Sequence, residues 1–531
     1  MVWLCLFIIV LVAAIYLRLP SRNVAWRGPD ERVYMAYSTE IAESGVRAIP
    51  ALVDDYNRDR KQWIYPPPVR IGSTLVVAGL MKLSGASAEK AAVLVSFAFS
   101  LLAFFVAALL GLRIFDRWAV LIGLAFLSVS PLDLALAQRA WQDSVVAGVG
   151  ILLFYLCVEA SISSRPQWWR VIFWMVASYF LLIKELALFI YVLCALGLVV
   201  DVWRREFSWK AVAAVAIPSG LVVIASYGVL MWISGGARPV LQLYQHMEQA
   251  LSWNQYNHIY QRGPWYSFPL GLWVLSPITT LLCGVGIGQI ILGRKSFAQV
   301  LGLDSRQSQA AWAMALFVVV VLTAATLPQD FKSLRFVAVT QAPLYLIGGL
   351  LIRYLLSLAR SRLAPAGWYV AISAVAASVA LVCITDYARF RHIFVQYQLD
   401  DLAIARVVNY AFAAGSHQAK APPETIVRLD TPPDKEVGSQ AGSTSEYQLS
   451  RSLTLYNQGL YSDAIAAAKE ALRLRPNYAE AWNNIGAAYN KLGKFNEAIA
   501  ACEEALRLKP DFELARNNLQ YAREKSKSSV K

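Results

Sequence analysis

Long unbroken apolar runs dominate the first 385 positions, in place of the alternating apolar and polar stripe of a soluble helix. A helix needs about 20 apolar residues to cross a bilayer. The runs predict eleven spans, at roughly 1–17, 91–112, 117–137, 143–162, 167–183, 186–202, 211–234, 268–293, 308–328, 335–352 and 364–385. The stretch 69–84 is apolar but short, and the reading adopted here leaves it as a segment that does not fully cross. Beyond residue 385 the runs stop, and apolar positions return at helical spacing between polar ones.

That tail contains an internal repeat. Residues 445–478 and 479–512 align at a period of 34, with Ala464 matching Ala498, Ala471 matching Ala505, Leu472 matching Leu506 and Pro476 matching Pro510. The second copy, with Trp482, Ile485, Gly486, Tyr489, Ala498, Ala505 and Pro510, resembles a tetratricopeptide repeat (TPR), whose small residues let two antiparallel helices approach closely. The first copy is degenerate, and 513–526 reads as a capping helix. Residues 415–445, rich in Pro, Ser, Gly and Thr, read as a flexible linker. The expected architecture is all-α: a polytopic transmembrane bundle over 1–385, a post-membrane segment and linker over 386–445, and a small TPR domain over 446–531.

Composition sharpens this division. The chain is 57% hydrophobic and only 16% charged, with a mean hydropathy of +0.46, which excludes an ordinary soluble enzyme and a disordered chain. Residues 1–385 hold 30 Lys and Arg against 18 Asp and Glu, whereas 386–531 hold 19 against 17, so the +14 excess lies almost wholly in the membrane part. With the N-terminus cytoplasmic and 69–84 not crossing, the inner loops carry 13 Lys and Arg and the outer connections after residue 138 carry six. Arg18, Arg22 and Arg27 after the first span run against this orientation, and the five-loop pattern outweighs them. The outer face then receives a loop at 18–68, a second at 235–267 and the whole tail. The first apolar run has no positive residues before it, so it reads as a retained span rather than a cleaved signal. The six Cys show neither metal-ligand nor disulfide spacing and read as small buried hydrophobes.

Candidate chemistry collects in the outer loops. Asp30 and Glu31 follow Pro29 and open a helix that Gly45 closes. Such carboxylates commonly cap a helix and favour its positive end. The functional alternative is a general base at the membrane surface, and adjacent residues point in different directions, so only one of the two meets a substrate. The loop ends in three prolines, Pro66 to Pro68, which stiffen the chain between Tyr65 and Arg70. Arg139 and Asp143 are spaced as a helix-surface ion pair. Lys184 and Glu185 interrupt an apolar region at 171–202. In the second loop, His246, His258, Tyr260, Arg262, Trp265 and Tyr266 read as interfacial anchors or substrate contacts. Lys332 and Arg335, just before a span, read as snorkelling cations. Taken together, Arg70, Arg139, Lys184, Lys332 and Arg335 place several cations on the face that carries Asp30, a set suited to a lipid phosphate.

The motifs, in this order, resemble the polytopic GT-C glycosyltransferases of the protein O-mannosyltransferase and aminoarabinose-transferase type. The resemblance rests on Asp30, Glu31 and Tyr34; Pro66 to Pro68; Pro131, Arg139 and Asp143; Lys184; Gly263 to Tyr266; and Arg335, Phe336 and Pro343. It covers roughly residues 1–360, and the tail resembles that of TPR-bearing members of the superfamily. It implies an inverting enzyme with a polyprenyl-phosphate sugar donor, Asp30 as base with Glu31 beside it, and Arg139, Lys184, Lys332, Arg335 and Arg70 at the donor phosphate. Tyr34, Tyr65, Asp143, His258, Trp265 and Tyr266 become substrate-site candidates. Aminoarabinose-type members carry a Lys just before their Pro-Pro motif, where Tyr65 or Pro66 stands here. No metal-ligand spacing is present, so neither a divalent metal nor another cofactor is carried over. The expected partners are the lipid-linked donor, the bilayer, and an acceptor or pathway protein bound through the TPR domain, with no nucleic acid. The expected location is the bacterial inner membrane, with site and tail on the periplasmic side. A transporter with a TPR arm would want charges inside several spans and an inverted hydropathy repeat. A membrane-anchored scaffold would leave the charged first loop without a use.

Overall fold

A computed structural model describes the chain except for residues 21–28, 252–253, 255–260, 262, 329–331, 397–398, 400–401, 413–447, 450–451, 454–455, 457–460 and 529–531. The regular structure of the described residues is helical, apart from a single bridge pair between Ser333 and Ala403. The chain divides into two compact units, one of Met1–Leu251 and Tyr260–Lys420, the other of Ser252–Ile259 and Ala421–Lys531.

The eleven predicted spans are helical in the first unit, but Val2–Arg18, Pro166–Phe180 and both halves of the run 268–293 are shorter than a full span. Seven of the described helices are long and apolar enough to cross a bilayer: Ala88–Ile114, Asp143–Ile162, Glu185–Glu206, Trp209–Ile233, Ser305–Thr326, Leu334–Arg360 and Pro365–Gln396. The chain is an integral membrane protein. Ile71–Ser84 has 14 residues, about 21 Å at 1.5 Å per residue, short of a hydrocarbon core of about 30 Å.

Two predicted spans are broken, each at a proline. The run 117–137 becomes Arg117–Ser128 and Pro131–Ala137, bent by 59°. Pro131 disfavours helix at the residue before it and has no N–H to continue the ladder. The carbonyls freed at the break are taken by Arg18, which donates to Leu127 O at 2.8 Å and Ser128 O at 3.1 Å and forms a buried ion pair with Asp133. The run 268–293 splits at Ser276 into Ser267–Leu275 and Pro277–Leu292. One neighbouring helix, Pro365–Phe390, holds both ends. Arg389 donates to Val274 O at 2.9 Å, and Asp386 accepts from Thr279 Oγ1 at 2.8 Å. A cation at a helix C-terminus and a carboxylate near an N-terminus each match the helix dipole.

Glycines set the closest approach. A methyl group on Gly349 would lie 2.2 Å from Ala119 O, and one on Gly123 would lie 2.9 Å from Leu346 Cα. Helices Arg117–Ser128 and Gln341–Arg360 therefore meet backbone to backbone, as small residues allow in membranes.

The two long loops also fold. Helices Pro29–Ser44 and Ala48–Arg58 of the first loop share a core with Ala237–Leu251 of the second, through Ile49, Val53, Tyr56, Val240 and Leu243. Trp63 stacks on His246 at 3.9 Å between ring centroids, and His246 Nδ1 meets Asn57 Oδ1 at 3.1 Å. One shared core requires both loops to lie on one side of the membrane.

The expected post-membrane segment begins later than residue 386. The last span runs on to Gln396, its final turn from Arg391 being a π-helix, and helix Ile404–Phe412 belongs to the first unit, where Ile404 N donates to Lys332 O at 2.9 Å and Leu334 N to Leu402 O at 2.9 Å. The linker expected at 415–445 lies outside the described residues.

The tail unit packs helices Tyr461–Leu474, Ala479–Lys491, Phe495–Leu508 and Glu513–Ser528. Buried Ala468, Ala471, Ala488, Ala498, Ala501 and Ala505 keep the helices close. The predicted capping helix is Glu513–Ser528.

Candidate functional site

The charged residues singled out in the sequence sit mostly at the beginnings of helices. Asp30 and Glu31 occupy the first turn of Pro29–Ser44, Asp143 the first turn of Asp143–Ile162, and Glu185 the first turn of Glu185–Glu206. Arg70 and Lys184 are the residues just before helices Ile71–Ser84 and Glu185–Glu206, and Arg335 lies in the 3-10 turn Leu334–Thr340. A carboxylate in a first turn is favoured by the helix dipole, so local physics accounts for each acid alone. What local physics does not supply is their meeting.

Three ion pairs join these helix beginnings. Asp30 Oδ2 accepts from Arg335 Nη1 at 2.9 Å. Asp143 Oδ1 accepts from Lys184 Nζ at 2.7 Å. Glu185 accepts from Arg70 at 2.8 Å, and Arg70 also donates to the Tyr34 hydroxyl at 2.8 Å. One aromatic ring ties two of the pairs together: Lys184 Nζ lies 4.7 Å and the Arg335 guanidinium 5.6 Å from the centroid of Phe336. Asp30, Asp143 and Arg70 are all close enough to act electrostatically on Tyr34. Burial, ahead of these charges, pushes the Tyr34 phenol above its ordinary value, so it stays protonated and keeps its own proton to donate.

The members differ in access. The Asp30 side chain is 31% exposed and Arg335 15%, whereas Glu31 and Arg139 are both at 0%. Glu31 pairs with Arg139 and accepts from Ala140 N at 2.8 Å. Arg139 also donates to Leu399 O at 3.2 Å and lies 4.0 Å from the Trp141 ring. This pair braces the start of helix Pro29–Ser44 against the segment before Asp143, and it presents no surface to a ligand. Arg139 and Asp143, spaced in the sequence as partners, each bond elsewhere.

Donor capacity is left over at two of the site cations, Arg139 Nε within its fully buried pair and Arg335 Nε beside the partly open Asp30. Arg335 Nε is buried and has no partner, an unfavourable state that an anion would relieve. Lys332 is fully buried and turned the other way, donating to Ala325 O at 3.3 Å and Thr326 O at 2.7 Å at the C-terminus of helix Ser305–Thr326. Tyr65 contributes its backbone carbonyl to the Tyr56 hydroxyl at 3.1 Å. Trp265 and Tyr266 are exposed and meet edge to face at 5.8 Å. His258 lies outside the described residues. Behind Tyr34, a niche of about 20 Å³ is lined by Ser38, Ser73, Thr74, Ser96, Trp141 and Gln142, room for a water molecule and too small for a sugar ring. Among the described residues no group of three or more His, Cys, Asp or Glu side chains is placed to hold a metal ion.

The sequence reading missed Glu185 as the partner of Arg70 and Phe336 as the ring between two cations. Partners 115 residues apart leave no local signal.

The arrangement gathers three cation–carboxylate pairs at the starts of five helical segments, with Asp30 as a hydrogen-bond acceptor and Arg335 Nε as an unfilled guanidinium donor. Chemically it can bind an anion and take a proton beside it.

Comparison with known proteins gives two kinds of likeness. The tetratricopeptide-repeat family matches residues 479–512, and a TPR-repeat description matches 453–493, so the tail carries tetratricopeptide repeats. No curated protein sequence matches the chain. Among solved structures, the chain is similar to ArnT from Cupriavidus metallidurans in the apo state, with 15% identity, 98% of this chain and 77% of that one covered, and a TM-score of 0.45. The same protein bound to undecaprenyl phosphate gives 15% identity over 77% and 76%, at 0.45. The Archaeoglobus fulgidus oligosaccharyltransferase gives 12% identity over 76% of this chain and 56% of that one, at 0.49. At these identities and scores no residue here takes its role from either protein.

Proposed function

We propose that the chain is an integral-membrane, inverting glycosyltransferase of GT-C type, moving a sugar from a polyprenyl-phosphate donor to an acceptor hydroxyl. The observation that carries this reading is the meeting of Asp30 with Arg335, beside Lys184 and Arg70, at the beginnings of membrane helices. Asp30, 31% exposed where the adjacent Glu31 is fully buried, serves as base. The adjacent Glu31 is withdrawn into the pair with Arg139 and positions the helix. Arg335 and Lys184 take the donor phosphate, with Arg70 and Tyr34 holding the rim. An inverting transfer needs one base and no covalent intermediate, and a phosphate leaving group needs fixed positive charge. A lipid-linked donor gives a reason for building the cluster at the ends of membrane helices rather than in the tail. Trp265 and Tyr266, exposed in the second loop, are offered to the lipid or the acceptor.

The positive-inside count supports an outer-face site, periplasmic in a bacterium, and the proposed role of the TPR tail is to recruit the acceptor or a partner protein on that face. Purified protein is tested with defined polyprenyl-phosphate sugars, the products being read by mass spectrometry. Asp30→Asn abolishes transfer while leaving the thermal transition in place; full transfer by that variant removes Asp30 as base. Deleting residues 446–531 lowers turnover of the acceptor but not donor binding, and unchanged turnover removes the recruiting role.

A further inference from the structure

We propose that Arg335 couples the two halves of the transfer: it holds Asp30 while the acceptor keeps its proton, and gives its charge to the departing phosphate once Asp30 has taken that proton. This rests on the reading of Asp30 as base. The geometry behind it is the division of one guanidinium between two uses. Nη1 is bound to Asp30 Oδ2 at 2.9 Å, and Nε is buried with no partner. The other two cations are held by other acids, Lys184 by Asp143 and Arg70 by Glu185. Among the described residues of the cluster, Arg335 is the cation that touches the base.

Charge accounting gives this contact a purpose. In the empty site, Asp30, Asp143 and Glu185 offset Arg335, Lys184 and Arg70. A polyprenyl phosphodiester brings one negative charge. In the transfer, the acceptor O–H proton moves to Asp30, and the acceptor oxygen forms its bond to the sugar C1. The bond from C1 to the phosphate oxygen breaks, and its electron pair stays on that oxygen. Asp30 becomes neutral as the phosphate becomes a dianion. The total charge is unchanged, but one negative charge has passed from Asp30 to the phosphate. A guanidinium within reach of both loses its ionic partner at one end as it gains one at the other. Its planar fork of donors suits such a bridge, which a lysine's point charge does not.

The test measures binding of undecaprenyl phosphate to the full-length protein in nanodiscs. Asp30→Asn imitates the protonated base and releases Arg335. We expect that variant to bind undecaprenyl phosphate roughly tenfold more tightly than wild type, while transfer is lost. Asp30→Ala gives the same direction and serves if the Asn variant fails to fold. Arg335→Gln weakens binding, and in its background Asp30→Asn brings no gain. Equal or weaker binding by both Asp30 variants overturns the coupling, as does a gain that persists without Arg335. Retained transfer by Asp30→Asn is a different result, which removes the base itself. A merely structural role for Arg335 would not make the effect of Asp30→Asn depend on it.

Discussion

In the tail, Glu470 bonds Arg473 and Glu504 bonds Arg507 three residues along the same helix, with both partners open to water. In the membrane part, Glu31 and Arg139 join across 108 residues, and neither is exposed. Both regions close their helices on small residues, Gly123 and Gly349 in one and Gly486 with a row of alanines in the other. They differ in where charge goes. Water solvates a tail charge wherever it stands, so its partner adds little. A charge within the membrane bundle has to find its partner through the fold, and the pair becomes a condition of folding.

Substitutions that treat the two regions alike should therefore give unlike results. Glu31→Ala leaves Arg139 buried without its carboxylate and costs about 3–5 kcal/mol, read as a large fall in the thermal transition of the detergent-solubilised protein. Gly349→Ala drives a methyl into the carbonyl of Ala119 and costs about 1–3 kcal/mol, because backbone is what has to move. Gly486→Ala drives its methyl to 2.4 Å from Cys502 Sγ, the end of a side chain that can rotate, and costs about 1 kcal/mol in the tail transition. Glu470→Ala shifts no transition measurably. A Glu31→Ala protein as stable as wild type, or a Glu470→Ala protein as unstable as Glu31→Ala, would break the comparison.

The same contrast explains what could be read in advance. Apolar run length is a local property, so the membrane helices were legible, as was the 34-residue period of the tail. The prolines at 131 and 277 were visible, but continuous apolar sequence on both sides hid the breaks they cause. Which charge meets which was not legible. Arg139 was expected at a phosphate and is instead joined to Glu31. Lys332 stands in the sequence beside Arg335, yet it is turned to the carbonyls of Ala325 and Thr326. Asp30, Tyr34, Arg70, Lys184 and Arg335 were expected on one face and do come together. Their exact pairing is set by packing between helices far apart in sequence, which no spacing rule encodes.

The three ion pairs also determine what the site looks like from a distance. Asp30 with Arg335, Asp143 with Lys184 and Glu185 with Arg70 cancel at range, so the cluster projects little field into bulk water despite its three cations. Soluble phosphates are not drawn in by long-range attraction, and capture should depend only weakly on ionic strength. The proposed lipid-linked donor would instead arrive by diffusion within the membrane, already at contact distance from the local donors, and on that proposal the neutrality of the empty cluster would filter for ligands that approach along the bilayer.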